Sequence, residues 1–168
     1  RIVWASCMVS CGDADAMVTG NTRRYGASLE KVKKVIDPRP GEVMFGLNMI
    51  VNKGKTVFLG DTSVHEYPSS EQLAEIAISA ARVVRLFGFN PKIAFLSHST
   101  FGQPLTSRTK HIKDAVEILK KKKVDFKFDG DMQPDVALSE EYIELYPFSE
   151  IVGKANVLIM PGQHSAAI

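Results

Sequence analysis

The chain has 168 residues, with 21 Lys and Arg against 19 Asp and Glu, so its formal charge is +2 with the histidines neutral. So small an excess excludes a polyanion binder driven by bulk charge, and nucleic acid is not expected as a partner. At 45% hydrophobic and 24% charged residues the composition is that of a globular chain. A chain this long buries roughly 70% of the surface it exposes when unfolded, enough for one real core and a second small lobe. No run of about 18 apolar residues occurs, so no membrane span is expected. Two cysteines, Cys7 and Cys11, sit four apart on what reads as one helix. They suit a reduced, cytoplasmic compartment better than a disulfide framework and are expected in the core.

Arg1 opens directly on Ile2, Val3 and Trp4 with no cap residue, as if a helix were entered partway. After Gly12, residues 16–20 read as a short strand ending in a glycine turn. A helix is expected over 28–36, with Leu29, Val32 and Ile36 on one face, and Asp37-Pro38-Arg39-Pro40-Gly41 stops it. That stretch is the expected hinge: residues 1–41 read as a sliver of one lobe, and 42–168 as a second lobe cut short at its carboxyl end. Residues 43–51 and 56–59 form a hairpin turning around Gly54. Ser69-x-x-Gln72 is a capping box, and Leu73, Ile76, Ala77, Ala80, Val84 and Phe87 follow at helical spacing up to Gly88. Residues 92–97 are a strand leading to a polar loop, His98 to Pro104. A helix over 107–121 points Ile112, Val116 and Leu119 inward and ends in Lys120 to Lys123, where cations suit the helix dipole. A strand at 126–129, an acidic loop at 129–135, a short helix at 139–145 and a strand at 155–160 follow. After Pro161-Gly162 only small residues up to Ile168 remain, with no crossover helix. The chain is therefore expected to be a piece of a longer polypeptide. Strands alternating with helices, plus one hairpin, predict an α/β fold with a mixed sheet and flanking helices.

Candidate chemistry is sparse. Gly54-Lys55-Thr56 resembles the tail of a phosphate loop, but Met49 stands where its first glycine belongs and no helix follows. No G-x-G-x-x-G occurs, and His65, His98, His111 and His164 lack ligand-like spacing, so neither a dinucleotide nor a metal site is expected. Asp129, Asp131 and Asp135 could mark a divalent metal or an active-site carboxylate, though Asp-Gly-Asp is also turn chemistry, the preferred reading. Ser97-His98-Ser99 and His164-Ser165 contain nucleophile and base types without defining a triad. The informative pattern is positional. Thr22, Arg23, Arg24 and Tyr25, residues 98–103, and residues 162–165 each follow an expected strand, where open α/β sheets bind ligands. Arg23 and Arg24 would suit an anion, and two adjacent arginines suit solvated surface equally well.

Several stretches carry a family resemblance: Gly12 to Gly20, Asp61 to Pro68, Leu73 to Ala81, Val124 to Leu138 and Gly153 to Pro161. In order and over nearly the whole chain they resemble the phosphate acetyltransferase family. Met17 to Tyr25, Val35 to Gly41, Tyr146-Pro147-Phe148 and His164-Ser165-Ala166 are most similar to the acetyltransferase-like domain at the carboxyl end of bacterial NADP-dependent malic enzymes. The resemblance implies a two-lobed α/β fold of isocitrate and isopropylmalate dehydrogenase type, with this chain covering mainly the second lobe, and dimerisation through that lobe. It implies acetyl-CoA as ligand, with Thr22, Arg23, Arg24, Tyr25, Ser28, Ser99, Thr100, His164 and Ser165 as candidate contacts. NADP and Mg or Mn are expected only in amino-terminal domains outside this chain. Where the family carries an arginine after its threonine-rich motif, Glu30 stands, a charge reversal worth several kcal/mol at about 4 Å. The family's later Ser-Arg-Gly motif has no counterpart within the 168 residues. The expectation is a regulatory, oligomerising domain without catalytic residues. The alternatives are an active acetyltransferase moving acetyl between CoA and phosphate, or a dimerisation module with an empty cleft.

Overall fold

The computed structural model describes residues 1–102 and 106–167, without the side chains of Ser107 and Arg108. Gln103, Pro104 and Ile168 of the stretches read above lie outside the described residues. The chain divides into two compact units, Arg1–Gly41 and Glu42–Ile168.

In the first unit, α1 (Ile2–Cys11) ends at Gly12, whose left-handed φ of 79° lets its N–H reach back to the carbonyls of Met8 and Val9. Cys7 and Cys11 are exposed rather than in a core. The helix is apolar around most of its circumference, so no stripe dictates which residues are covered, and Ser6 is the buried one. Residues 16–20 form no strand, since no described strand in this unit offers them a ladder. The second helix, α2 (Tyr25–Val32), starts and ends earlier than its apolar spacing suggests, and residues 33–35 are a turn.

The second unit holds the sheet. β1 (Leu47–Asn52) and β2 (Lys55–Gly60) are antiparallel, and Asn52 faces Lys55 across the two-residue turn Lys53-Gly54. Both turn residues have positive φ, 48° and 76°, the hairpin geometry that glycine permits, so Gly54 serves the hairpin and not a phosphate loop. β1 starts at Leu47, four residues later than read. α3 (Ser70–Leu86) carries the expected capping box, with the Ser69 hydroxyl accepting from the Gln72 N–H and the Gln72 side chain accepting from the Ser69 N–H. Phe87 falls at its C-cap and is exposed. β3 (Lys92–Leu96), α4 (Ser107–Lys122) and β4 (Lys127–Met132) follow, then α5 (Pro134–Leu138), α6 (Glu140–Ile143), β5 (Val157–Ile159) and the single turn α7 (Gln163–Ala166). Strand order is β1-β2-β5-β3-β4, with every pairing after the hairpin parallel.

β3 and β5 are buried on both faces. Ile93, Phe95, Val157 and Ile159 join Leu73, Ile76, Val84, Ile112 and Leu119 from α3 and α4 in one core. Ala94, Leu96, Leu158 and Met160 join Val136, Ala137 and Ile143 from α5 and α6 in the other. The period-two alternation of each strand produces the two layers.

The largest correction concerns residues 129–135. Asp129, Gly130 and Asp131 lie within β4, not in a turn, and Pro134 and Asp135 open α5, a helix that the sequence reading lacked. Phe95 pairs with Gly130 and Leu96 with Met132, so Asp131 is the extra residue of a bulge. A Cβ on Gly130 would sit 2.7 Å from both the Cβ and the carbonyl oxygen of Phe95. Close strand approach, not turn chemistry, requires this glycine. Gly130→Ala is therefore expected to destabilise the protein by about 2–3 kcal/mol, read as a lower urea midpoint with an unchanged slope.

Candidate functional site

The carboxyl ends of β3 and β5 open into a cleft of about 480 Å³ in the second unit. Ser97 and His98 enter it from the segment after β3, His111 and Ile112 from α4, and Glu66 and Tyr67 from the loop after β2. Pro161, Gly162, His164 and Ser165 complete it from the chain after β5. The Tyr67 and His111 rings pack with centroids 5.0 Å apart. The sequence spacing of the histidines gave no reason to group them, because this meeting depends on three separate elements.

The loop bearing Glu66 and Tyr67 is held by Asp61, which is almost fully buried. Its Oδ1 accepts from the N–H groups of Gly46, Ser63 and Val64 at 2.7, 3.0 and 3.2 Å. Its Oδ2 accepts from the His65 N–H at 2.9 Å and lies 2.7 Å from His65 Nδ1. Burial alone would raise the Asp61 pKa, but the Ser63 and Gly46 N–H groups and His65 hold it below the ordinary aspartate value. Across the cleft, a Cβ on Gly162 would sit 2.6 Å from the Glu66 carbonyl oxygen, and the Gln163 N–H donates to that oxygen at 3.3 Å. The two walls are thus tied directly.

Beneath the cleft lies a buried polar chain. The Ser97 and Ser99 hydroxyls are 3.0 Å apart, and Ser99 donates to Asp131 Oδ2. Asp131 is fully buried, and its Oδ1 has no hydrogen-bond partner among the described residues. The bulge brings that carboxylate to Ser99, which i, i+2 spacing aligns with Ser97. Of the sequence candidates here, His164 and Ser165 line the cleft. Ser99 is turned inward, and Thr100 Oγ1 accepts from the Gln133 N–H at 3.3 Å.

The candidates of the first unit gather at the start of α2. That helix has no side-chain cap hydrogen bond at Arg24. Arg23, Tyr25 and Ser28 line a pocket of about 310 Å³ there, and Thr22 lines a neighbouring one with Arg23. Ser28 is 6% exposed, and its hydroxyl has no partner among the described residues. Glu30 faces solvent and lies 3.8 Å from Lys33. No cluster of three or more His, Cys, Asp or Glu among the described residues is placed to hold a metal, and no described helix is long and apolar enough to cross a membrane.

A five-stranded mixed sheet flanked by helices, with a cleft at its parallel strand ends, defines an α/β domain. All of residues 1–168 match the phosphate acetyl/butaryl transferase family model, and the chain belongs to that family. It is 47% identical over 165 residues to the NADP-dependent malic enzyme of Rhizobium meliloti (strain 1021), covering 98% of this chain and 22% of that protein. It is 31% identical over 170 residues to the phosphate acetyltransferase of Buchnera aphidicola subsp. Schizaphis graminum (strain Sg), covering 100% and 24%. The phosphotransacetylase from Streptococcus pyogenes superposes with a TM-score of 0.89 at 27% identity, over 98% of this chain and 51% of that one. The chain spans less than a quarter of the length of these two curated relatives.

Asp61→Asn turns an amide donor toward the His65 N–H or toward the three donors on Oδ1. It is expected to cost about 2–3 kcal/mol at neutral pH. Because the folded pKa is depressed, the wild-type carboxylate stabilises fully above the unfolded aspartate value and loses that contribution as pH falls below about 4. Thermal unfolding from pH 7 down to pH 2.5 should therefore show the variant's deficit shrinking with acid.

Proposed function

We propose that this chain is the phosphotransacetylase-like part of an NADP-dependent, decarboxylating malic enzyme of the cytoplasm. In this reading it binds acetyl-CoA without transferring the acetyl group, and it takes part in self-association and regulation. NADP and a divalent Mg or Mn ion would be held by residues outside this chain. The similarity to malic enzymes over 98% of the chain supports the parentage.

The observation that carries the ligand reading is the make-up of α2. The helix opens uncapped beside Arg23 and Arg24, with a buried Ser28 hydroxyl lacking a partner, the features of a site prepared for an anion. Phosphate oxygens of a CoA ester would accept from these donors. The same helix places Glu30 where the family resemblance expects an arginine. A carboxylate there repels the phosphate that acetyl transfer would bring in, which favours binding without turnover. Regulation then follows from linkage: acetyl-CoA alters activity only if it binds one arrangement of the whole enzyme more tightly than another.

Calorimetry on the full-length polypeptide containing this chain should detect saturable acetyl-CoA binding, weakened about tenfold by Arg23→Ala. With acetyl-CoA and phosphate together, no CoA thiol should be released. Phosphate-dependent thiol release would instead identify an active acetyltransferase, and absence of binding at millimolar acetyl-CoA would leave a pure assembly module.

A further inference from the structure

We propose that a pocket between α4 and β4 binds a free α-amino acid with an apolar side chain, its ammonium group on Asp131 and its carboxylate on Lys113. The inference goes beyond the acetyl-CoA reading and does not depend on it.

The pocket has a volume of about 400 Å³, and none of the described residues lines both it and the cleft at the strand ends. Most of its charged side chains already have partners. Lys120 pairs with Glu117 at 2.9 Å, and Glu150 lies 3.8 Å from Lys127. Asp129 is satisfied by backbone, with Oδ1 accepting from the Gly130 N–H and Oδ2 from the Glu150 N–H, each at 2.9 Å. Two groups are left over among the described residues. Asp131 is fully buried, and its Oδ1 has no hydrogen-bond partner. Lys113 makes no ion pair with Asp131 or with any other described residue, and its Nζ packs against Gly102. A Cβ on Gly102 would collide with that ammonium group, so the glycine, at φ 99°, leaves the room in which it sits.

An unpaired carboxylate oxygen in the interior is costly, and its strongest complement is a charged donor. No cluster of three or more His, Cys, Asp or Glu among the described residues is placed to hold a metal, so the matching donor is an organic ammonium. Lys113, in the same pocket, is complementary to a carboxylate. A zwitterionic α-amino acid brings one of each and is small enough for the volume. Phe101 and Phe148, whose rings pack edge to face with centroids 4.8 Å apart, offer its side chain an apolar surface. Glu117, Asp129 and Glu150 in the lining oppose an acidic side chain. Asp131 also holds Ser99 through Oδ2, so the pocket and the polar chain beneath the cleft share one carboxylate.

The test is calorimetry on the full-length polypeptide containing this chain, with L-leucine and L-phenylalanine as probes. At least one should bind saturably, with a dissociation constant of about 1 mM or tighter. Isoamylamine and phenethylamine lack the carboxylate, and isocaproate and hydrocinnamate lack the ammonium group; each should bind at least about tenfold more weakly than its parent amino acid. Lys113→Met alters a half-buried position outside both cores, so it should fold, and it should weaken binding about tenfold. Asp131→Asn, where it folds, should weaken binding at least as much. No saturable binding of either probe up to about 20 mM would overturn the proposal, as when water alone satisfies Asp131. Amines that bind as tightly as the amino acids would overturn the zwitterion assignment, and L-glutamate binding as tightly would overturn the apolar one. Affinity unchanged in Lys113→Met would remove the ligand from this pocket.

Discussion

The burial of β3 and β5 on both faces is the constraint from which the rest of the second unit follows. Ile93 and Phe95 are committed to one core and Ala94 and Leu96 to the other, and β5 divides its residues in the same way. A polar side chain along either strand would lose its water with no partner to replace it. Polar chemistry is therefore displaced to the strand ends. Because β2, β5 and β3 run parallel, their carboxyl ends lie on the same edge of the sheet, and Asp61, Pro161 and Ser97 follow them there. The cleft is a product of this displacement, not a separate feature laid on the fold.

Two buried carboxylates at that edge show opposite solutions to the same problem. Asp61 is surrounded by backbone N–H groups and a histidine ring, so both oxygens are satisfied and the loop from Asp61 to Pro68 is fixed as a rigid wall. Asp131 enters through a bulge, binds Ser99 with one oxygen and leaves the other without a partner among the described residues. Buried polar groups are nearly always paired, so an unsatisfied carboxylate oxygen two hydroxyls away from a cleft is a site of stored polarity. Ser97 is the point at which that polarity reaches the cleft. With Ser99 donating to Asp131, the Ser97 hydroxyl is left to donate to Ser99, and its remaining lone pair is directed to acceptor roles.

What the sequence made legible was local. The capping box at Ser69 and Gln72, the apolar stripe of α3 and the two-residue turn at Gly54 each depend on residues a few positions apart, and each was readable from spacing alone. Asp129-Gly130-Asp131 was misleading, because the same three residues suit a tight turn and a close-packed, bulged strand. Only the approach of Phe95 from a distant segment distinguishes the two. Cys7 and Cys11 failed for a related reason: an all-round apolar helix does not say which face is covered. The grouping of the histidines was unreadable because Tyr67, His98, His111 and His164 are brought together by three crossovers of the sheet. His98, His164 and Ser165 were found through position after a strand, a rule of topology, whereas His111 needs the packing of α4 beside β3.

The two units offer an anion different kinds of charge. Arg23 and Arg24 are cationic at every physiological pH, so attraction at the start of α2 is constant, and Glu30 beside Lys33 adds little net charge to it. The cleft of the second unit holds no such fixed cation among its described lining residues. Among the described residues, therefore, a phosphate-bearing ligand would find permanent positive charge at the start of α2, where the guanidinium forks of Arg23 and Arg24 suit phosphate oxygens in a way that the serine hydroxyls and backbone of the cleft do not.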